Sequence, residues 1–294
     1  MTSPYGIIPA MVTPLDESGE KINETALRKL TRMMTEAGVH GLFAVGSQGE
    51  FWALSAEEKR RVWEVVVDEN AGKLPVYAGT AAITTREAVS LTRLAESVGV
   101  DAVSVLSPYF LTPTDEELYG HYRRIADSTK LPVLLYGNPA RTGVKLSARL
   151  VARLAEIDNI VGIKDSSGDL QLSMEYMRSC PDDFALIMGR DSLIFAALMA
   201  GAKGAIAATG NVAPELSVQI YERFQAGDLE GAKKAQADLF PLRMAFTWGT
   251  FPVVIKEALD LMGIEGGPAR GPVGSMSGDQ RERLKALLKE MGKI

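Results

Sequence analysis

The chain has 294 residues, with 32 Lys and Arg against 37 Asp and Glu, for a net charge of −5. That length suits one large domain with a sizeable core, and a mildly acidic chain without a basic block excludes nucleic acid as an expected partner. Cys180 is the single cysteine, so neither a disulfide framework nor a thiolate metal cluster is expected.

The first residues, Met-Thr-Ser-Pro-Tyr-Gly, lack the basic-then-apolar order of a secretion signal, and a cytoplasmic protein is expected. Gly6 to Val12 is the first apolar run, and a helical pattern follows from Asn23 to about Ala37. Gly41–Gly46 is the second strand. Ser55 and Glu58 then form a capping box that opens a helix to about Asn70. Pro75–Gly79 is the third strand, and Thr84 with Glu87 is expected to cap the next helix in the same way. Ala102–Pro108 is the fourth strand, followed by a helix opened by Thr114 and Glu117. Pro132–Tyr136 is the fifth. A helix from Ser147 leads to the sixth, Asn159–Asp165, and Phe184–Gly189 and Gly204–Gly210 are the seventh and eighth.

The run from Leu193 to Ala208 is the most apolar, but Gly201, Lys203 and Gly204 break it. It reads as a buried helix and strand, and no membrane span is expected. Eight apolar strands alternating with helices predict a (β/α)8 barrel; runs that do not alternate suit strands buried on both faces. The barrel is expected over residues 1–210, with a helical region over 211–294 packed on it.

In such a barrel the active site lies at the C-terminal ends of the strands. The sixth strand ends on Lys164, followed by Asp-Ser-Ser-Gly turn chemistry. An ammonium at an apolar strand end is costly unless paired or used. It either snorkels or pairs with Asp165, or it is an amine desolvated enough to attack a carbonyl and form a Schiff base. The second strand delivers Ser47, Gln48 and Gly49, a turn whose backbone N–H groups suit a carboxylate. The fourth delivers the aromatic pair Tyr109 and Phe110. The fifth delivers Tyr136, a phenol able to relay protons, then Asn138, Pro139 and Arg141. The seventh delivers Gly189, Arg190 and Asp191, and Arg190 is a candidate grip for an anionic group. His40 and His121 are isolated, so no metal is expected, and a Ser-His-Asp or Cys-His nucleophile is poorly supported. An amine, a phenol and a carboxylate cradle at one mouth are the parts for imine chemistry on a 2-oxo acid.

Four segments then carry a resemblance over nearly the whole chain. They are Gly46-Ser-Gln-Gly-Glu50, Tyr136-Gly-Asn-Pro-Ala-Arg-Thr-Gly143, Gly162-Ile-Lys-Asp165 and Gly266-Gly-Pro-Ala-Arg-Gly-Pro272. Together they resemble the dihydrodipicolinate synthase / N-acetylneuraminate lyase family. The resemblance implies a barrel fold, no cofactor, and Lys164 as the Schiff-base residue for pyruvate or another 2-oxo acid. It implies that Tyr136 relays protons with Ser47, and that Ser47 and the Gln48 amide hold the substrate carboxylate. Ile206 would offer a backbone carbonyl near the lysine. Ser166 matches a hydroxyl used by sugar-acid-cleaving members. A homo-oligomer, tetramer or dimer, is implied.

The departures bear on the substrate. Arg141 stands where synthase members hold the carboxylate of the aldehyde. Phe110 replaces a second catalytic tyrosine, Gln48 a threonine, and Ser192 a glutamate used on sialic acid. Lys164 to Asp169 looks more like the 2-keto-3-deoxy-sugar-acid and 4-hydroxy-2-oxoglutarate aldolases. The expected activity is therefore a metal-independent Schiff-base aldolase acting on such an acid. Dihydrodipicolinate synthase is the first alternative, and a non-catalytic barrel that binds an oxo acid is the second.

Overall fold

The computed structural model describes residues 3–294. Strands and helices alternate through β1 (Gly6–Pro9), α1 (Glu24–Glu36), β2 (Leu42–Ala44), α2 (Ala56–Asn70), β3 (Val76–Gly79), α3 (Thr85–Val98), β4 (Ala102–Leu106), α4 (Asp115–Ala126) and β5 (Val133–Gly137). They continue through α5 (Pro139–Thr142), α6 (Ala148–Leu154), β6 (Ile160–Asp165), α7 (Leu170–Ser179), β7 (Ala185–Met188), α8 (Ile194–Ala200) and β8 (Gly204–Ala207). All eight strands are parallel, in the order β1-β8-β7-β6-β5-β4-β3-β2. A bridge between Ala10 and Phe43 brings the two ends of the sheet together, with Met11 N donating to Phe43 O at 2.9 Å. This is the (β/α)8 barrel expected from the strand spacing.

Local chemistry starts the helices where the sequence signals it. Ser55 with Glu58 and Thr114 with Glu117 form reciprocal capping boxes. At α3 the box is half made: Thr84 accepts from Glu87 N, and Glu87 returns no bond to the Thr84 backbone. Inside the barrel Ile8, Phe43, Tyr77, Leu134, Ile187 and Ile206 pack against one another, apart from the larger layer between strands and helices. Burying each such aliphatic side chain favours folding by about 1.5–3 kcal/mol.

Beyond β8 come α9 (Pro214–Gln225), α10 (Leu229–Ala245), α11 (Val253–Leu261) and α12 (Gly278–Glu290). α9 packs beside α8 and against β1, so it serves as the outer helix of the eighth βα unit and carries the barrel one helix past residue 210. α10 packs on α9 and α8, and α11 on α12. No helix among the described residues is long and apolar enough to cross a membrane.

Candidate active site

Strand register brings the amine and the phenol together. Leu134, Gly162 and Ala185 are neighbours across β5, β6 and β7, and two residues further on Tyr136, Lys164 and Ile187 form the next layer. The β5–β6 pairing is irregular between Val133 and Leu134, because Val133 pairs with Ile160 but Leu134 with Gly162. The extra residue resets which side chains of β6 face inward, as a bulge does. Lys164 thereby joins the inner layer with Ile187, and Asp165 falls on the opposite face. Asp165 is fully engaged there: its Oδ1 accepts from Ser167 N at 2.8 Å and its Oδ2 from Ser173 Oγ at 2.6 Å. The pleat thus decides against the Lys164–Asp165 pair that the sequence left open.

Lys164 is 4% exposed. Its Nζ stands 4.0 Å from the centroid of the Tyr136 ring and 4.9 Å from that of Phe43. The Tyr136 hydroxyl lies 3.3 Å from Ser47 Oγ, and Asn138 Nδ2 donates to it at 3.3 Å. Burial by itself raises this phenol. The Lys164 ammonium and hydrogen bonds from Ser47 and Asn138 outweigh that, and hold it below the ordinary tyrosine value. A phenol so tuned gives up its proton more readily than a free tyrosine, which is what a proton relay requires.

The cradle follows β2. Ser47 and Gln48 line a cavity of about 450 Å³ that also takes in Tyr136, Arg141, Lys164, Ser166, Gly189, Arg190 and Ile206. Ser166 Oγ donates to Gly189 O at 3.2 Å, and Arg190 Nε to Ser166 O at 2.9 Å, so the ends of β6 and β7 are tied together. Gly189 is required by that closeness: a Cβ there would stand 2.0 Å from Ser166 Oγ. Arg141 lies on the one-turn helix α5, its guanidinium 4.1 Å above the ring of Phe251. Gly49, Tyr109 and Phe110 lie outside this lining. Gly49 O accepts from the buried Thr13 hydroxyl at 2.8 Å and shapes the turn from behind. Tyr109 packs edge-on against Phe51. Phe110 has φ 75 and is 95% exposed.

One wall has no counterpart in the sequence pattern. Arg243 and Phe246 at the end of α10, with Thr247, Gly249, Thr250 and Phe251 before α11, complete the cavity. The Gly249 break marks a loop there, but nothing in the local pattern says that it folds over the barrel mouth. Asn138 lies in the segment expected to reach the mouth, and its bond to Tyr136 places it there. The histidines are used elsewhere. His40 accepts from Ile7 N at 3.1 Å and pairs with Glu222 at 2.9 Å, and His121 bonds Thr85 at 2.9 Å. Among the described residues no group of three or more His, Cys, Asp or Glu is placed to hold a metal ion.

A parallel barrel with a buried amine, a phenol and a hydroxyl at the C-terminal ends of its strands defines a carbon–carbon lyase of the lysine-dependent kind. Known proteins of similar sequence and structure agree. Residues 3–291 match the model of the dihydrodipicolinate synthetase family, and the chain belongs to that family and is an enzyme. It is 42% identical over 288 residues to the 4-hydroxy-tetrahydrodipicolinate synthase of Methanopyrus kandleri, covering 98% of this chain and 96% of the relative. Among solved structures it is similar to dihydrodipicolinate synthase of Thermotoga maritima, with TM-score 0.96, 31% identity and all of both chains covered. It is also similar to YagE of Escherichia coli K12, a prophage protein of the same family solved in complex with pyruvate, with TM-score 0.94, 32% identity and 99% of both chains covered.

Proposed function

We propose that the enzyme condenses pyruvate with aspartate semialdehyde, as a 4-hydroxy-tetrahydrodipicolinate synthase. The observation that carries the chemistry is the pairing of Lys164 with Tyr136 in one inner layer of the barrel. The unprotonated Lys164 amine adds to the ketone carbon of pyruvate, and loss of water leaves the imine. Tyr136 carries protons between the intermediate and Ser47, whose hydroxyl lies within reach of the phenol. Ser47 and the Gln48 amide hold the pyruvate carboxylate. Loss of a methyl proton gives the enamine, which attacks the aldehyde carbon and forms the new carbon–carbon bond. The aldehyde oxygen takes up a proton, and the semialdehyde's own amine then replaces Lys164 at the imine carbon, closing the ring and releasing the lysine. Arg141, stacked on Phe251, receives the carboxylate of the aldehyde. Ser166, Gly189, Arg190 and Ile206 complete the substrate's surroundings.

By itself the Lys164–Asp169 motif favours a 2-keto-3-deoxy or 4-hydroxy-2-oxo acid aldolase. The names carried by relatives such as the Methanopyrus enzyme favour the synthase over it. The aldolase stays as second reading because Ser166 lines the cavity. Borohydride treatment with pyruvate should leave a reduced adduct on Lys164, read by mass spectrometry. kcat/KM is then compared for aspartate semialdehyde condensation and for cleavage of the two acid classes. Better cleavage than condensation would promote the aldolase; no adduct on Lys164 would sink both. We further propose a homo-oligomer, tetramer or dimer. The exposed neighbours Phe110 and Leu111 support it, and a monomeric mass in sedimentation would refute it. A cytoplasmic location is likewise our reading, tested by fractionation.

A further inference from the structure

The cradle is held in a costly shape. Val45 (φ 59) and Glu50 (φ 56) bracket Gly46, Ser47, Gln48 and Gly49, and both are non-glycine residues in the left-handed region. Val45 is β-branched, for which that region is a genuine outlier. Such positions persist only where the surroundings over-determine them.

At Glu50 the surroundings are a buried ionic cluster that the imine chemistry does not use. Glu50 and Lys256 are each 1% exposed, and Lys256 Nζ stands 2.6 Å from Glu50 Oε1 in an ion pair that lacks hydrogen-bond alignment. Lys256 also donates to Pro268 O at 2.7 Å, and Glu50 Oε2 accepts from Arg270 N at 2.8 Å. The Arg270 guanidinium reaches Gly19 O, Glu20 O, Ala53 O and Glu58, which ties the loop after β1, the segment after the cradle and the C-terminal loop together. Gly267 lets that loop pass, since it has φ +69 and a Cβ there would stand 2.1 Å from Leu15 O. Lys256 belongs to α11, whose entry carries Thr250 and Phe251 of the cavity wall. Gln48 meets Phe246, Phe251, Val254 and Ile255 around a small cleft at the same junction.

From this arrangement we infer that Glu50 and Lys256, with Arg270 behind them, are positioning residues. They clamp the Ser47–Gln48 cradle in its strained form and lock it to the α11 wall, so that the pocket for the 2-oxo acid carboxylate exists before substrate arrives. A buried pair is a weak source of net stability. A fixed geometry is what it supplies here, and loosening the hydrogen bonds that hold a carboxylate costs ~10- to 100-fold in affinity. The inference rests on the proposed pyruvate reading.

The test uses Glu50→Gln, Lys256→Met and the double variant Glu50→Leu/Lys256→Met in the full chain. Pyruvate binding is followed by titration calorimetry, KM and kcat by pyruvate consumption, and the Lys164 adduct by borohydride trapping. The single variants leave one buried group without its partner and should lower Tm. The double variant removes both charges and should recover part of that loss, because Arg270 N and Pro268 O still lose a partner. In all three, pyruvate KM and its calorimetric Kd should rise by ~10- to 100-fold, with trapping still complete at saturating pyruvate. Should the single variants fail to fold, the double variant carries the test. Wild-type pyruvate affinity in the folded double variant overturns the inference, as does a loss of kcat with KM unchanged. If the wild type binds pyruvate but takes no adduct, the lysine chemistry fails, and the inference stands or falls on the calorimetric shift alone.

Discussion

Tyr136→Phe isolates the proton relay. The ring stays, so the surface facing Lys164 at 4.0 Å is kept. What goes is one hydroxyl with contacts of 3.3 Å to Ser47 Oγ and 3.3 Å to Asn138 Nδ2. Both partners line the cavity, where water can satisfy them, so the stability cost should be near ~1 kcal/mol. Catalysis should lose far more: a positioned acid–base group is worth ~10²–10⁴-fold, or about 3–5 kcal/mol of barrier. The assay is kcat/KM for pyruvate consumption across pH, with trapping at single turnover. The folded phenol is held below the ordinary tyrosine value. A relay that must carry the proton therefore gives the wild type a basic limb beginning below ~10, and the variant should lack it. Variant activity within about threefold of wild type, against the factor expected of a relay, would refute the role, as would an unchanged basic limb.

Arg141→Ala should raise KM for the semialdehyde by ~10- to 100-fold, the worth of a charge-assisted hydrogen bond, and leave pyruvate KM near wild type; equal effects on both would remove it from the aldehyde site. Gly189→Ala drives a Cβ to 2.0 Å from Ser166 Oγ and 2.9 Å from Asp165 O, so it should cost ~1–3 kcal/mol of stability as overpacking does and weaken the Arg190 anchor; a urea midpoint equal to wild type would contradict that. Because an imine supplies the electron sink, exhaustive chelation should leave turnover unchanged, and activity restored by zinc after such treatment would overturn the mechanism. Burial pushes His121 down to about 4, so between that value and ~6.5 the unfolded chain binds a proton that the folded chain refuses. Its contribution is whole above ~6.5 and shrinks as the pH falls toward 4, by up to ~3 kcal/mol. Replacing His121 with Phe should flatten the fall of Tm over that window, and an identical fall in the variant would rule His121 out.

The proposed catalytic half of the site is legible in the sequence itself. Lys164 and Tyr136 lie at the ends of apolar strands and Ser47 just past one, and a parallel barrel must put all such ends at one mouth. Helix starts at Ser55 and Thr114 are legible for an equally local reason, since a capping box closes within four residues. Substrate preference read from Lys164–Asp169 is weaker, because a motif on one strand describes one wall of a pocket that several elements build.

What stays hidden depends on contacts that no local pattern encodes. Whether Lys164 pairs with Asp165 turns on the pleat, and the irregular β5–β6 pairing sets that pleat. Arg243 and Phe251 reach the cavity only because α10 and α11 fold back over the mouth, and an amphipathic helix shows that a face is covered without naming what covers it. Glu50 and Lys256 lie far apart in the chain, and no local pattern joins them. Only the tertiary fold makes them a buried pair. Strand ends are a short-range consequence of sequence and the barrel rule, whereas the second wall and the clamp behind the cradle are long-range packing, decided when the C-terminal helices dock.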